Sequence, residues 1–114
     1  MKILIVDDDP TIRKYVARAL RGDAEVTEAK DQETGNRLFS EGQFDAVLVD
    51  VNLGADNGIE LAIRFRDLDP QLIVIVISGD PANEDKARQT GLGEFLFKPF
   101  SVGELKRRLG ITRF

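Results

Sequence analysis

The sequence predicts an α/β domain built on a five-stranded parallel sheet with helices on both faces. Three observations carry that prediction. Continuous β-branched and leucine runs recur at Ile3 to Val6, Ala46 to Val49 and Leu72 to Ile77, the pattern of strands buried on both faces rather than half-exposed ones. With two weaker strand candidates, Glu25 to Ala29 and Glu94 to Phe97, these runs alternate with helical periodicity along the whole chain. Finally, Asp7, Asp8 and Asp9 follow the first of these apolar runs and Asp50 follows the second, at strand ends of the kind where open α/β sheets hold their ligands.

The elements follow in order. Asp9 before Pro10 reads as a capping carboxylate and a first-turn proline, so Asp9 is taken as a cap and not a ligand. The first helix then carries Ile12, Val16, Ala19 and Leu20 on one face. A short second helix presents Leu38 and Phe39, and a third presents Leu61, Phe65 and Leu68. Asp80 before Pro81 repeats the capping signal ahead of a fourth helix over Ala82 to Thr90, stopped by Gly91. Ala87 is almost its only inward-facing apolar group, which predicts a loosely held helix. Phe97 and Phe100 are expected in the core. In the last helix Val102, Leu105 and Leu109 line one face, Gly103 is expected to interrupt it, and Gly110 to end it.

Composition narrows the function. The 114 residues suit one compact domain, 1–114, with no low-complexity divider. No apolar stretch approaches the roughly 18 residues of a membrane span, and the N-terminus reads as a strand, not a signal peptide. Without cysteine or histidine there is no disulfide, no thiol chemistry and no set of the usual zinc ligands, in keeping with a cytoplasmic location. The net charge of -4 arises from 20 acids and 16 bases, and leaving out Asp7, Asp8, Asp9 and Asp50 brings the two into balance. No basic stripe with interleaved aromatics appears, so no direct nucleic-acid binding is expected.

The acidic residues suggest a chemistry. Magnesium prefers oxygen ligands and is commonly held by one or two carboxylates plus a phosphate, and Asp7, Asp8 and Asp50 can supply those oxygens. Converging carboxylates repel unless a cation joins them, and Lys98, after the fifth strand candidate and before Pro99, is the lysine that would reach the same edge. Ser78 ends the fourth strand beside Gly79. A carboxylate nucleophile, a divalent cation, a lysine and a hydroxyl are the parts that phosphoryl transfer to aspartate requires.

At this point the strings IVDDDP, VLVDVN, VISGD and FLFKPF are seen to occur in the order and approximate spacing of receiver domains of two-component response regulators. The chain resembles that family over nearly its whole length. The resemblance implies a flavodoxin-like sheet of strand order 2-1-3-4-5. It implies Asp50 as phosphoacceptor, Asp7 and Asp8 as the acidic pair holding Mg2+, and Asn52 lending its backbone carbonyl to the metal. Ser78 matches the hydroxyl that bonds the phosphoryl group, Lys98 the lysine that pairs with its oxygens, and Phe95 the aromatic switch. The peptide bond from Lys98 to Pro99 is typically cis in this family, and Gly58 matches the glycine opening the third helix. The family's output and dimer face comprises the fourth helix, fifth strand and fifth helix. The loop from Asn52 to Gly58 lacks the proline often found near Gly54, which leaves it less restricted.

The expected function is therefore a phosphorelay switch: Asp50 takes a phosphoryl group in a Mg2+-dependent reaction and a partner reads the result. With no histidine of its own, the chain needs a histidine kinase or phosphotransfer protein as donor, or a small acyl phosphate. It is not expected to be an enzyme beyond its own phosphorylation and dephosphorylation. If the chain is complete, it signals by binding another protein, with a phosphorylation-dependent homodimer as one form; otherwise an output domain follows Phe114. Asn52 and Asp80, two residues beyond Asp50 and Ser78, match the positions that tune phosphate hydrolysis in the family, and the resemblance with their water-orienting side chains implies a short-lived phosphate. Two alternatives stand beside this reading: a phosphorylation-independent scaffold receiver, and a small Mg2+-dependent phosphatase working through an aspartyl phosphate. The second would usually carry an aspartate where this chain has Asn52.

Overall fold

The computed structural model describes residues 1–111, and the end of the expected domain span lies outside the described residues. Its elements are β1 (Lys2–Val6), α1 (Pro10–Ala19), β2 (Glu25–Ala29), α2 (Gln32–Glu41), β3 (Ala46–Asp50), β4 (Asn52–Leu53), β5 (Asp56–Asn57), α3 (Gly58–Leu68), β6 (Ile73–Ser78), α4 (Ala82–Gln89), β7 (Glu94–Phe97) and α5 (Val102–Arg108). The main sheet has five parallel strands in the order β2-β1-β3-β6-β7. This is the expected flavodoxin-like order once the short strands β4 and β5 are set aside.

Strand side chains alternate between faces, so each apolar run feeds two cores. Leu4, Val6, Val47, Val49, Val74, Val76 and Phe95 meet α3 and α4 through Ile59, Ala62, Phe65 and Ala87. Ile3, Ile5, Ala46, Leu48, Ile75, Ile77 and Leu96 meet α1 and α5 through Val16, Leu20, Leu105 and Leu109. Helices on both faces remove the central strands from water, which explains why those strands read as unbroken apolar runs.

The caps agree with the residues chosen for them. Asp9 accepts from the N–H of Thr11 at 2.9 Å and Asp31 from that of Thr34 at 2.7 Å. That bond holds the Asp31 carboxyl below its usual range. Asp80 accepts from the N–H of Ala82, but from one position further out than expected, because Pro81 itself occupies the cap of α4.

Four local expectations need correction. Leu68 is 63% exposed: it ends α3 beyond the sheet, and Ile59 and Ala62 take the inward positions instead. Phe97 is 38% exposed on an edge strand, while Phe100 is buried. Gly103 does not interrupt α5, which runs unbroken from a Ser101 cap, and Val102 at its start faces outward. The loop after Asp50 is a two-stranded hairpin, β4 against β5, turning at Gly54 with φ of 66°. Such a turn favours glycine because other residues pay a Cβ penalty there.

As expected, α4 buries only Ala87, whereas α3 buries Gly58, Ile59, Leu61, Ala62 and Phe65. Amide hydrogen exchange should therefore be faster across α4 than across α3, since local opening exposes little apolar surface there. Equal protection of the two helices would contradict this account of how α4 is held.

Candidate functional site

Strand register builds the site. Val6 lies level with Val49, so Asp7 and Asp50 are the next residues out on neighbouring strands. Asp50 lies level with Ile77 and Ser78 with Phe97, so Ser78 and Lys98 follow on the next two strands. Parallel strands put all four at one carboxyl edge. The backbone continues the alignment: the Asp7 N–H donates to the Ala29 carbonyl and the Lys98 N–H to the Ser78 carbonyl.

One oxygen from each of Asp7, Asp8 and Asp50 lies within 4.8 Å of the others. Asp7 and Asp50 are buried while Asp8 is exposed at the rim. Lys98 bridges the buried pair, with Nζ 3.1 Å from Asp50 Oδ2 and 3.4 Å from Asp7 Oδ2. The longer contact is an ion pair without hydrogen-bond geometry, because Asp7 Oδ2 is buried with no hydrogen-bond partner. Asp7 Oδ1 accepts from the Asp9 N–H at 2.9 Å. The peptide bond from Lys98 to Pro99 is cis.

These surroundings shift two groups. Burial pushes the Asp7 carboxyl up to about 6 from 3.8, and the nearby Asp50 adds to the rise; the Asp9 N–H and Lys98 work against it. Burial would lower the Lys98 ammonium, but its hydrogen bond to Asp50 and the charge of Asp7 outweigh that and hold it above 10.5. The pocket is thus short of positive charge even with Lys98 in place.

Ser78 is fully buried, and its hydroxyl is engaged by Asp80 and Asn83 rather than by Asp50 or Lys98. Phe95 is buried in the core on the α3 side, its ring centroid 4.8 Å from that of Phe97. Asn52 is exposed, and its N–H makes a long 3.3 Å contact to Asp50 Oδ1.

A family model, the response regulator receiver domain, matches residues 3–110. The chain belongs to this family. This receiver domain is 35% identical to the Agrobacterium tumefaciens regulatory protein VirG, over 96% of the chain and 42% of VirG. It is 36% identical to the Vibrio cholerae chemotaxis protein CheY-3, over 96% of the chain and 88% of CheY-3. The chain therefore spans less than half of VirG and most of CheY-3. A solved response regulator from Burkholderia pseudomallei, described with a phosphorylated aspartic acid, calcium ion and citrate, superposes with a TM-score of 0.86 at 28% identity. That match covers 95% of this chain and 65% of the other.

Supporting residues of the receiver domain were not visible in its sequence. Arg13 Nη1 donates to the Asp7 carbonyl at 2.7 Å while its Nε pairs with Glu28 at 3.2 Å, which fixes the acidic turn against β2. Tyr15 donates to the Phe100 carbonyl at 3.1 Å and steadies the turn after Lys98. Arg13 sits four residues beyond the Asp9 cap, but many surface arginines share such spacing, so sequence carries no specific signal for it. Asn83 is the third, and its hint is only that asparagine is uncommon inside helices without a local bond.

Proposed function

We propose that this receiver domain is a Mg2+-dependent phosphorylation switch with Asp50 as the acceptor. The observation that carries the reading is the buried Asp7 Oδ2, without a hydrogen-bond partner, facing Asp50 and Lys98 at the sheet edge. Leaving a buried carboxylate oxygen without a hydrogen bond is costly, and a hard cation bound by oxygens removes that cost. The donor set fits such an ion: Asp7, Asp8, Asp50 and the backbone carbonyl of Asn52 are the groups assigned to hold it. When bound, Mg2+ neutralises charge on the transferred phosphoryl oxygens.

The chain's own residues supply the rest. An Asp50 carboxylate oxygen attacks the phosphorus of a phosphohistidine on a histidine kinase or phosphotransfer protein. A P–O bond forms as the P–N bond breaks, and the donor nitrogen keeps the electron pair and regains a proton. Lys98, already hydrogen-bonded to Asp50, remains as counter-charge to the phosphoryl oxygens. Ser78 offers them a hydroxyl donor. Phe95 is buried in this structure, and we assign the switching movement to Ser78 and Phe95 together with the segment behind Ser78.

The receiver domain then acts on no external substrate and catalyses only its own phosphorylation and dephosphorylation. The altered surface is read by a downstream protein or output domain, with homodimerisation as one form of that readout. The cytoplasm, where soluble phosphodonors act, is the proposed location; no helix among the described residues is long and apolar enough to cross a membrane.

Intact-mass measurement after incubation with acetyl phosphate tests the reading. A single phosphoryl adduct should form with Mg2+ and be lost when EDTA is present. An adduct of equal yield in EDTA would contradict the metal assignment, and none under either condition would favour the scaffold alternative.

A further inference from the structure

The Ser78 hydroxyl has one proton to donate and two lone pairs, and the segment behind it occupies all three. Oγ accepts from Asn83 Nδ2 at 2.9 Å and from the Asp80 N–H at 3.0 Å, and it donates to the Asp80 carbonyl at 3.3 Å. The weakest of these is the one that uses the proton. A phosphoryl oxygen on Asp50 would compete easily for that proton, but turning Oγ toward it strains the bond from Asn83.

Asn83 lies in the first turn of α4, whose Pro81 cap has no side-chain cap bond. Among the described residues, side-chain hydrogen bonds tie α4 and its C-cap to other elements at two places. Arg66 of α3 donates to the Thr90 carbonyl at one end, and Asn83 donates to Ser78 at the other. Ala87 is its single buried side chain, and the other bonds of its first turn, from the Ala82 N–H to the Asp80 carboxylate and from the Asn83 N–H to the Asp80 carbonyl, reach only the loop just before it.

We propose that Asn83 is a positioning residue: it latches the Ser78 hydroxyl in the resting arrangement and couples that hydroxyl to the first turn of α4. The proposal rests on Asp50 being the phosphoacceptor. Its logic is that of a population shift, because a bond made in only one of two states biases the equilibrium toward that state. Asn83 is half-buried, so its freed amide can meet water when the latch opens. The bias is then that of one ordinary hydrogen bond, roughly two- to tenfold.

The test is binding of beryllofluoride, a non-covalent phosphoryl mimic, in the presence of Mg2+, followed by amide NMR. Asn83→Ala should bind it roughly two- to tenfold more tightly than wild type, and the same substitution in a Ser78→Ala background should change nothing. Amide exchange across residues 82–87 should also quicken in Asn83→Ala without the mimic. Unchanged or weaker binding in Asn83→Ala overturns the latch, as does an equal gain in the Ser78→Ala background, which a general loosening would produce. A wild type that binds no beryllofluoride overturns the phosphoacceptor reading instead; the exchange comparison then decides alone whether Asn83 ties α4 to Ser78.

Discussion

Gly58→Ala is expected to cost about 3 kcal/mol or more of stability, beyond most single-methyl insertions. A Cβ built at Gly58 would lie 1.8 Å from the Asp50 carbonyl oxygen, 2.7 Å from the Asp50 carbonyl carbon and 2.9 Å from Val51 Cα. All three are backbone atoms, so no rotamer change relieves the clash. The Asp50 strand cannot give way easily either, since β3 is buried throughout and paired on both sides. The Gly58 N–H also donates to the Val51 carbonyl at 2.8 Å, which ties the start of α3 to the chain just past Asp50. For a domain of this size the melting temperature should fall by roughly 10–20 °C. Gly79→Ala is the control, because nothing lies within 4 Å of its added Cβ. Thermal melts of equal midpoint for the two variants would show that the turn at Gly58 is not the constraint described.

The second large effect concerns Asp7 and pH. Its carboxyl titrates at about 6 in the folded chain against an ordinary value of 3.8, so the folded protein holds a proton that the unfolded chain has released. The metal-free protein is therefore favoured below about pH 4, and that advantage is lost as pH rises through about 6. The difference is on the order of 3 kcal/mol at neutral pH. Asp7→Asn should remove the penalty: without added metal, the variant should be more stable than wild type at pH 7.5 and lose that lead near pH 4. Urea titrations at several pH values measure this. The same substitution should abolish stabilisation by Mg2+, and in the wild type that stabilisation should weaken as pH falls through about 6, because a proton and the ion compete for the same oxygens. A wild-type and variant pair that keep a constant stability difference from pH 4 to 7.5 would contradict the burial-driven shift. The trade, stability given up for a charged site, is common where carboxylates are held ready for chemistry.

Much of this was legible in the sequence because burial on both faces leaves a coarse mark. The three apolar runs became β1, β3 and β6, and the acids after the first two fell at the sheet's carboxyl edge. What sequence patterns carried poorly was anything set by where an element stops. Leu68 keeps helical period with Leu61 and Phe65 but lies past the sheet, where no partner covers it. Phe97 alternates to the same side as Phe95, yet it lies on an edge strand at the rim. The β4–β5 hairpin was hidden because Asn52 to Asn57 is polar and short, with only Gly54 marking its turn. The site's direct participants were readable as motifs, whereas Arg13, Tyr15 and Asn83 act through individual side-chain bonds to neighbouring segments, only that of Tyr15 being distant in sequence. Such bonds have no periodicity. The family resemblance singled out Gly58, but the steric reason for it depends on β3 and α3 meeting in space.

The measurement that bears most directly on the central claim is the intact mass of Asp50→Ala beside wild type after acetyl phosphate treatment with Mg2+. One phosphoryl adduct is expected on wild type and none on the variant, with the variant still folded by circular dichroism. An adduct of the same mass and yield on Asp50→Ala would place the acceptor elsewhere and contradict the reading of this site.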